Sequence, residues 1–599
     1  MVLIGAVIVI AAVLPLVLSG NFQRNLMALL AAYALAALGL NLLVGIAGQI
    51  SLGHGAFMMI GGYVAAILTV KAGLPPFVGV IAAGLFTAVV GWLLGLPALR
   101  LRGHFLALAT LSFGTALPQV ALKWDPVTGG AFGLSPTRFP SDLVAYWVIA
   151  LVLGVFTWAS YNLVRSRPGR ALLALRESEV AAQAMGVNLA LAKTGIFAFS
   201  AMYAGLAGAL ATHLSGYISP NSFSLAVSFQ LLASIVVGGL GSIAGSILGA
   251  LLVAWLPFAA SRTQGLASVV EGLAIIGIVM FLPRGVASLL QRTKFPVKVL
   301  ARPDEPAAYE VPAGSPHLAP APNGPDPRLA ASLTGSRVTG PLLEVQGLSV
   351  EFGGVHALQD VSFCVSSGSI HGLIGPNGAG KTTALNCISR LIDPTRGAIR
   401  FGGQDLLSVH PSAVARLGIS RTFQNLELCR HLSALDNVMI GLHHRVAAPN
   451  IAYLLRLPAG RRAEAEARRR SLELLDLVEC LDVVDRPVQS LPHSRQKRVE
   501  LARALACGGQ LLVLDEPAAG LDAGERLALA ELVRRVRDAG LTILLVEHDM
   551  GLVMSLCDRV TVLDFGRVIA DGSPKEAQAN PAVVAAYLGE DASRTAVHA

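Results

Sequence analysis

The chain has 599 residues, of which 54% are hydrophobic and only 14% charged, with a mean hydropathy of +0.62. Soluble globular chains carry roughly 25% charged residues, so this composition excludes disorder, a fibrous repeat and an ordinary soluble enzyme, and it points to membrane spans. The formal charge of +8 belongs to one half: residues 1–295 hold 15 of the 46 basic and 5 of the 38 acidic side chains, leaving 31 and 33 beyond. Basic residues flanking the cytosolic ends of spans account for this excess, and nucleic acid is not the partner it predicts.

A membrane-spanning helix needs about 20 apolar residues. Val2–Leu18 has no basic leading segment or clear cleavage site and reads as a span rather than a removed signal. Leu26–Ile46, Ile50–Val70, Pro76–Leu96, His104–Leu122 and Leu143–Val164 follow, and the 68 residues Thr194–Ser261 contain no Asp, Glu, Lys or Arg. Leu266–Leu282 closes the set. The loop carrying Arg165, Arg167, Arg170, Arg176 and Lys193 is the most basic of this half and is assigned to the cytosol. Parity of crossings then asks for a break at Gly238–Ser242, splitting Phe229–Trp255 into two short elements, for about eight to ten membrane elements in all. Polar residues within the spans are few: Asn41, Gln49, Ser51, His54, Gln119 and His213. The commoner use of such groups is helix–helix contact. The alternative is a translocation path, for which Gly48–Gly55 is the best candidate.

Residues 296–341, with ten prolines, cannot build a core and read as an extended spacer. From Leu342 the pattern turns to strands, glycine turns and amphipathic helices, which is α/β behaviour. Strand Ser369–Ile374 runs into Gly375, Pro376, Asn377, Gly378, Ala379, Gly380, Lys381 and Thr382, followed by Thr383 and a helix. This is a phosphate loop in strand–loop–helix context. Its backbone N–H groups converge on phosphates, Lys381 reaches the terminal oxygens, Thr382 ligates Mg²⁺, and the helix dipole adds to the field. The predicted cofactors are ATP and Mg²⁺. Some 135 residues later, the apolar strand Leu511–Leu514 ends in Asp515 and Glu516. Asp515 suits the metal-bound water, and Glu516 suits the base that orients or deprotonates the attacking water. A further strand, Thr542–Val546, ends in Glu547, His548 and Asp549. All six cysteines lie in this half and none forms a C-x-x-C pair with another, which fits a reducing cytosol.

These residues make the second half resemble an ABC-transporter nucleotide-binding domain. The resemblance implies that Gln424, in the run Arg421–Asn425, touches Mg²⁺ and the permease, and that His548 holds the γ-phosphate. It further implies that Ala519–Asp522 communicates across an ATPase dimer, and that Phe352 stacks on adenine. The run Arg421–Asn425, the insert 443–470, Asp515–Leu521 and the ending Asn580–Gly589 resemble ATPases of the branched-chain amino-acid uptake family. Leu38–Gly45, Gly48–Gly55, Leu101–Leu111, Gly238–Ser242 and Phe281–Gly285 independently resemble a permease subunit of the same system. The implied fold is a polytopic α-helical membrane domain (1–295), a Pro-rich linker (296–341) and an α/β P-loop ABC nucleotide-binding domain (342–599). The implied function is ATP-driven import of branched-chain or related amino acids across the bacterial inner membrane, with the ATPase domain cytosolic. The implied partners are a second permease subunit and a second ATPase subunit, or a second copy of this chain, together with a periplasmic substrate-binding protein and membrane lipid.

Import of urea, short amides or aromatic acids by the same mechanism is the main alternative; a membrane-anchored non-transport ATPase and an exporter fit less well. The loop Gly169–Gly186 resembles the short coupling helix of uptake permeases and is expected to dock on an ATPase domain. One segment departs from the family: Leu491–Gln496 stands where ABC ATPases usually carry Leu-Ser-Gly-Gly-Gln. Ser494 replaces a glycine that approaches phosphate, so the composite site built with it is expected to hydrolyse poorly unless its hydroxyl, or the charge of Arg495, compensates. The basic run Arg461–Arg470 reads as a solvated helix face.

Overall fold

The structure, a computed structural model, describes residues 20–98, 104–260, 267–283, 285–292 and 340–588. The predicted Val2–Leu18 span, Leu101–Gly103, Arg284, the linker up to residue 339 and the chain from residue 589 lie outside the described residues. The chain divides into two compact units. One holds the described residues before 293 except 177–188, together with 450–457; the other holds the described residues from 340 onward except 450–457, together with 177–188.

The first unit is helical: α1 (Asn21–Asn41), α2 (His54–Val70), α3 (Pro76–Ala98), α4 (His104–Lys123), α5 (Asp142–Val164), α6 (Arg167–Glu177), α8 (Leu189–Ser215), α9 (Leu225–Gly238), α10 (Ile243–Ala260) and α11 (Ala267–Phe281). Among the described residues five helices are long and apolar enough to cross a membrane, and His54–Val70, Leu225–Gly238 and Ile243–Ala259 are shorter apolar helices. Helix α8 packs against α1, α2 and α3, and small residues set the spacing. A Cβ on Gly61 would lie 2.1 Å from the carbonyl oxygen of Gly205, and one on Gly208 would lie 1.9 Å from that of Met58, so the α2 and α8 backbones approach as closely as glycine permits.

The predicted break falls in place: α9 ends at Gly238 and α10 begins at Ile243. Asn41 seals it, donating from Nδ2 to the Ser242 carbonyl (3.0 Å) and accepting at Oδ1 from Gly241 N–H (2.9 Å). A second break departs from the expected span Ile50–Val70. After α1 a π-helical turn runs from Leu42 to Ile46, Gly48 takes φ +71°, and α2 starts only at His54. The freed backbone groups find other partners, Gln49 N–H on the Leu43 carbonyl (3.0 Å) and Leu52 N–H on Thr110 Oγ1 (3.0 Å), as membrane depth requires. Most of the polar residues singled out above are structural ties. His54 joins Ser51 Oγ (3.1 Å) and Ser200 Oγ (2.8 Å), and His213 Nδ1 meets the Thr137 carbonyl (2.9 Å). Gln119 is exposed, whereas Gln49 is buried with neither amide atom paired among the described residues.

The second unit carries two sheets. The antiparallel one has the order β2 (Val355–Ser366), β1 (Pro341–Phe352), β4 (Arg396–Phe401), β5 (Gln404–Asp405). The other runs β10 (Arg567–Gly572), β9 (Arg559–Asp564), β3 (Ile370–Ile374), β8 (Thr542–Val546), β7 (Leu511–Asp515), β6 (Ile419–Arg421). It is parallel from β9 to β6, with β10 antiparallel at its edge. Strands β3, β7 and β8 are buried at every position, which explains their unbroken apolar runs: both faces are covered. The helices of the unit include α12 (Lys381–Ile388), α13 (Ala434–Gly441), α14 (Pro458–Leu477), α15 (His493–Cys507), α16 (Ala523–Asp538) and α17 (Met550–Leu556). The basic run sits on α14 with Arg469 paired to Glu466 and Glu473 and Arg470 to Glu466, a solvated helix face as predicted.

Residues 177–188 belong to this same unit. Ser178 caps α7 (Glu179–Ala184) through the Ala181 N–H. The buried Met185 places its sulfur 3.1 Å from Cys507 Sγ at the end of α15. Gly186, at φ +83°, lies where a Cβ would be 3.3 Å from His444 and 3.5 Å from Ala415.

Candidate functional site

The loop after β3 is shaped by its glycines. Gly375 has φ +150°, and a Cβ there would sit 2.1 Å from the Leu563 carbonyl oxygen; Gly380, at φ +99°, caps α12. Both conformations suit glycine alone. Asn377, Gly378 and Thr382 are exposed, and Pro376, Gly380 and Thr383 are partly so. Lys381 is buried and folds back across the loop, donating to the carbonyls of Gly375 (2.8 Å) and Pro376 (2.9 Å). Burial lowers its pKa from the usual lysine value, while Glu516 and Asp515 pull it back up.

The carboxylates after β7 differ in their surroundings. Asp515 is buried, and its Oδ2 accepts from Arg421 Nη2 at 2.8 Å, whereas its Oδ1 has no partner among the described residues. Glu516 takes φ +48°, rare for a non-glycine residue, with its N–H on the Val546 carbonyl (2.9 Å) and its carbonyl accepting from Lys497 Nζ (3.0 Å). Its side chain meets two of the predicted residues: Oε1 lies 2.7 Å from His548 Nε2, and Oε2 accepts from Gln424 Nε2 at 3.1 Å. The structure thus brings Glu516, His548 and Gln424 together, from segments 32 and 92 residues apart in sequence. A strained backbone at such a junction is typical of functional positions.

Behind them Glu547 is buried and accepts from the N–H of Ala518 (2.7 Å) and His548 (3.1 Å). Burial raises its pKa, against those N–H groups. Glu547 therefore fixes the turn that carries His548. Phe352 stands half-exposed at the tip of the β1–β2 hairpin.

Among the described residues no cluster of three or more His, Cys, Asp or Glu side chains suits a metal ion. The donors present are the unpaired Asp515 Oδ1, the exposed Thr382 and the Gln424 amide. A set so short of protein ligands fits a small hard cation that keeps its waters and shares phosphate oxygens. In the departing segment, Pro492 immediately precedes α15, whose first residue is His493. Arg495 turns back to the Glu479 carbonyl and to Asp482 Oδ1 (3.3 Å), which corrects the idea that it adds charge toward a phosphate.

Sequence reasoning did not find Arg421, Lys497 or Glu547 as members of this site. The pairing of Arg421 with Asp515 spans 94 residues, and no local pattern encodes it.

Comparison with known proteins places both halves. The family described as "Branched-chain amino acid transport system / permease component" matches residues 23–282. "ABC transporter" matches 358–519 and "Branched-chain amino acid ATP-binding cassette transporter" matches 567–593. The chain is 39% identical over 251 residues to the high-affinity branched-chain amino acid transport ATP-binding protein BraF of Pseudomonas aeruginosa, covering 42% of this chain and 98% of that one. It is 40% identical over the same length and shares to the corresponding LivG protein of Escherichia coli, and 41% to LivG of Salmonella typhimurium.

Proposed function

Because this chain belongs to the branched-chain amino-acid ABC transporter family, we propose that it imports branched-chain or related amino acids, with permease and ATPase fused in one chain. Hydrolysis of ATP coupled to transport is the activity of the ATPase half, and the apolar helices make this a membrane protein with a cytosolic ATPase domain. The bacterial inner membrane is the compartment that suits such an importer. The observation that carries the reading is the agreement of the two halves: permease and ATPase match the same transport system independently.

In the hydrolytic site, the N–H groups of residues 377–380 and the N-terminus of α12 receive the phosphates, with Lys381 exchanging its two carbonyl partners for phosphate oxygens. Phe352 stacks on the base. Thr382, Asp515 and Gln424 would hold Mg²⁺, which when bound neutralises charge on the phosphate oxygens. Glu516 orients the attacking water and accepts its proton. His548 and Gln424, which hydrogen-bond the two oxygens of Glu516, fix that carboxylate and report on the γ-phosphate. Residues 177–188, which group with the ATPase residues, are the segment through which hydrolysis is coupled to transport. The working assembly needs a second permease and a second ATPase, or a second copy of this chain, and a periplasmic substrate-binding protein.

The test is ATPase stimulation in proteoliposomes by substrate-binding protein loaded in turn with leucine, isoleucine, valine, urea, a short amide or phenylalanine. Stimulation by the aliphatic amino acids supports the proposal; stimulation by urea or amides alone overturns the substrate class.

A further inference from the structure

Helix α15 carries three buried charged residues, Lys497, Glu500 and Arg503, and the last two have no part in the site described above. They lie one turn apart (i, i+3), with Arg503 Nη2 3.6 Å from Glu500 Oε1. Each reaches the main chain of the loop that bears Gln424. Glu500 Oε1 accepts from Phe423 N–H at 3.3 Å, and the Glu427 N–H also hydrogen-bonds this carboxylate. Arg503 Nη1 donates to the Glu427 carbonyl at 2.6 Å. Residue 423 precedes Gln424 and residue 427 follows it by three, so both ends of the loop are clamped to one helix face.

A buried ion pair is a poor device for stability, since desolvation offsets most of its attraction and an apolar replacement of similar volume is often as stable. Burial pushes the Glu500 carboxyl up to about 7, with Arg503 the largest opposing influence. The best-attested use of such a pair is to specify one arrangement among several. One turn earlier on the same face, Lys497 holds the Glu516 carbonyl at 3.0 Å, and at the far end Cys507 meets Met185 of residues 177–188. A cavity of about 220 Å³ opens between α15 and α16, lined by Phe423, Lys497, Glu500 and Asp515 among others, which leaves α15 space to shift.

We propose that Glu500 and Arg503 are positioning residues for Gln424, holding the ends of its loop so that a shift of α15 moves the Gln424 amide relative to Glu516. The proposal rests on Gln424 acting at Glu516 in the hydrolytic scheme, and it is independent of substrate and of transport direction.

The experiment is a double-mutant cycle on the full chain, assembled with its partners in proteoliposomes, reading kcat and KM for ATP in Gln424→Ala, Glu500→Gln and the double variant. Glu500→Gln is expected to lower kcat about tenfold with KM within about twofold, because the phosphate loop is untouched. The double variant is expected to be no slower than Gln424→Ala alone. Losses that multiply in the double variant overturn the positioning role while leaving the hydrolytic scheme intact. An unchanged kcat in Gln424→Ala overturns the scheme and the proposal together. If Glu500→Gln fails to assemble, the cycle is run with Arg503→Lys, which keeps the charge and loses the planar fork reaching Glu427, and the same non-additivity decides.

Discussion

Replacing Glu516 by Gln removes one charge and almost no volume, so the perturbation falls on chemistry rather than packing. The amide still offers an oxygen to Gln424 Nε2 and a partner to His548 Nε2, the two contacts now at 3.1 and 2.7 Å. The main-chain bonds to Val546 and Lys497 do not involve the side chain and remain. What is lost is the capacity to take a proton from water. General-base catalysis contributes about 10²–10⁴-fold, or about 3–5 kcal/mol at 1.36 kcal/mol per tenfold. Phosphate release from the assembled transporter should therefore fall at least about a hundredfold. Nucleotide binding should persist, because Lys381 and the loop 375–380 are unaltered. Lys381→Ala is the contrasting case and should lose nucleotide affinity itself. Turnover in Glu516→Gln within about threefold of the parent, far short of a general base's contribution, would refute the assignment of Glu516 as the base.

Gly186→Asp places a side chain at φ +83° and within 3.3 Å of His444, at a cost of about 1–3 kcal/mol for the backbone alone. The ratio of ATP hydrolysed to substrate moved should rise, and an unchanged ratio counts against coupling through residues 177–188. Ser494→Gly should raise ATP turnover if the serine side chain holds the backbone back from phosphate; no gain would mark Ser494 as a tolerated variant. Gly208→Ala drives a methyl to 1.9 Å from the Met58 carbonyl oxygen and should destabilise the membrane unit by about 1–3 kcal/mol. An unchanged melting temperature in detergent would contradict the close α2–α8 packing.

The parts of this fold legible in the sequence are those whose determinants are contiguous. Lys381 and Thr382 sit inside one glycine-framed loop, Asp515 and Glu516 end one apolar strand, and Gly238–Ser242 interrupts one apolar run. Asn41 shows the boundary of such reading: its polarity inside a span is visible, but its two bonds across the break at Gly241 and Ser242 span about 200 residues. The same holds for Glu500 and Arg503, which read as ordinary charges on a helix until tertiary packing buries them against the Gln424 loop. The start of α2 at His54 rather than Ile50 had a local sign in Gly48, Gly53 and Gly55. Hydropathy alone overrode it, because glycine is common in membrane helices.

The most direct test of the central claim is the movement of radiolabelled leucine into proteoliposomes that contain the assembled transporter, with the substrate-binding protein outside and ATP inside. Accumulation against the gradient that depends on internal ATP and disappears in Glu516→Gln is the predicted result. Exit of preloaded leucine under the same conditions, or accumulation that survives Glu516→Gln, would contradict it.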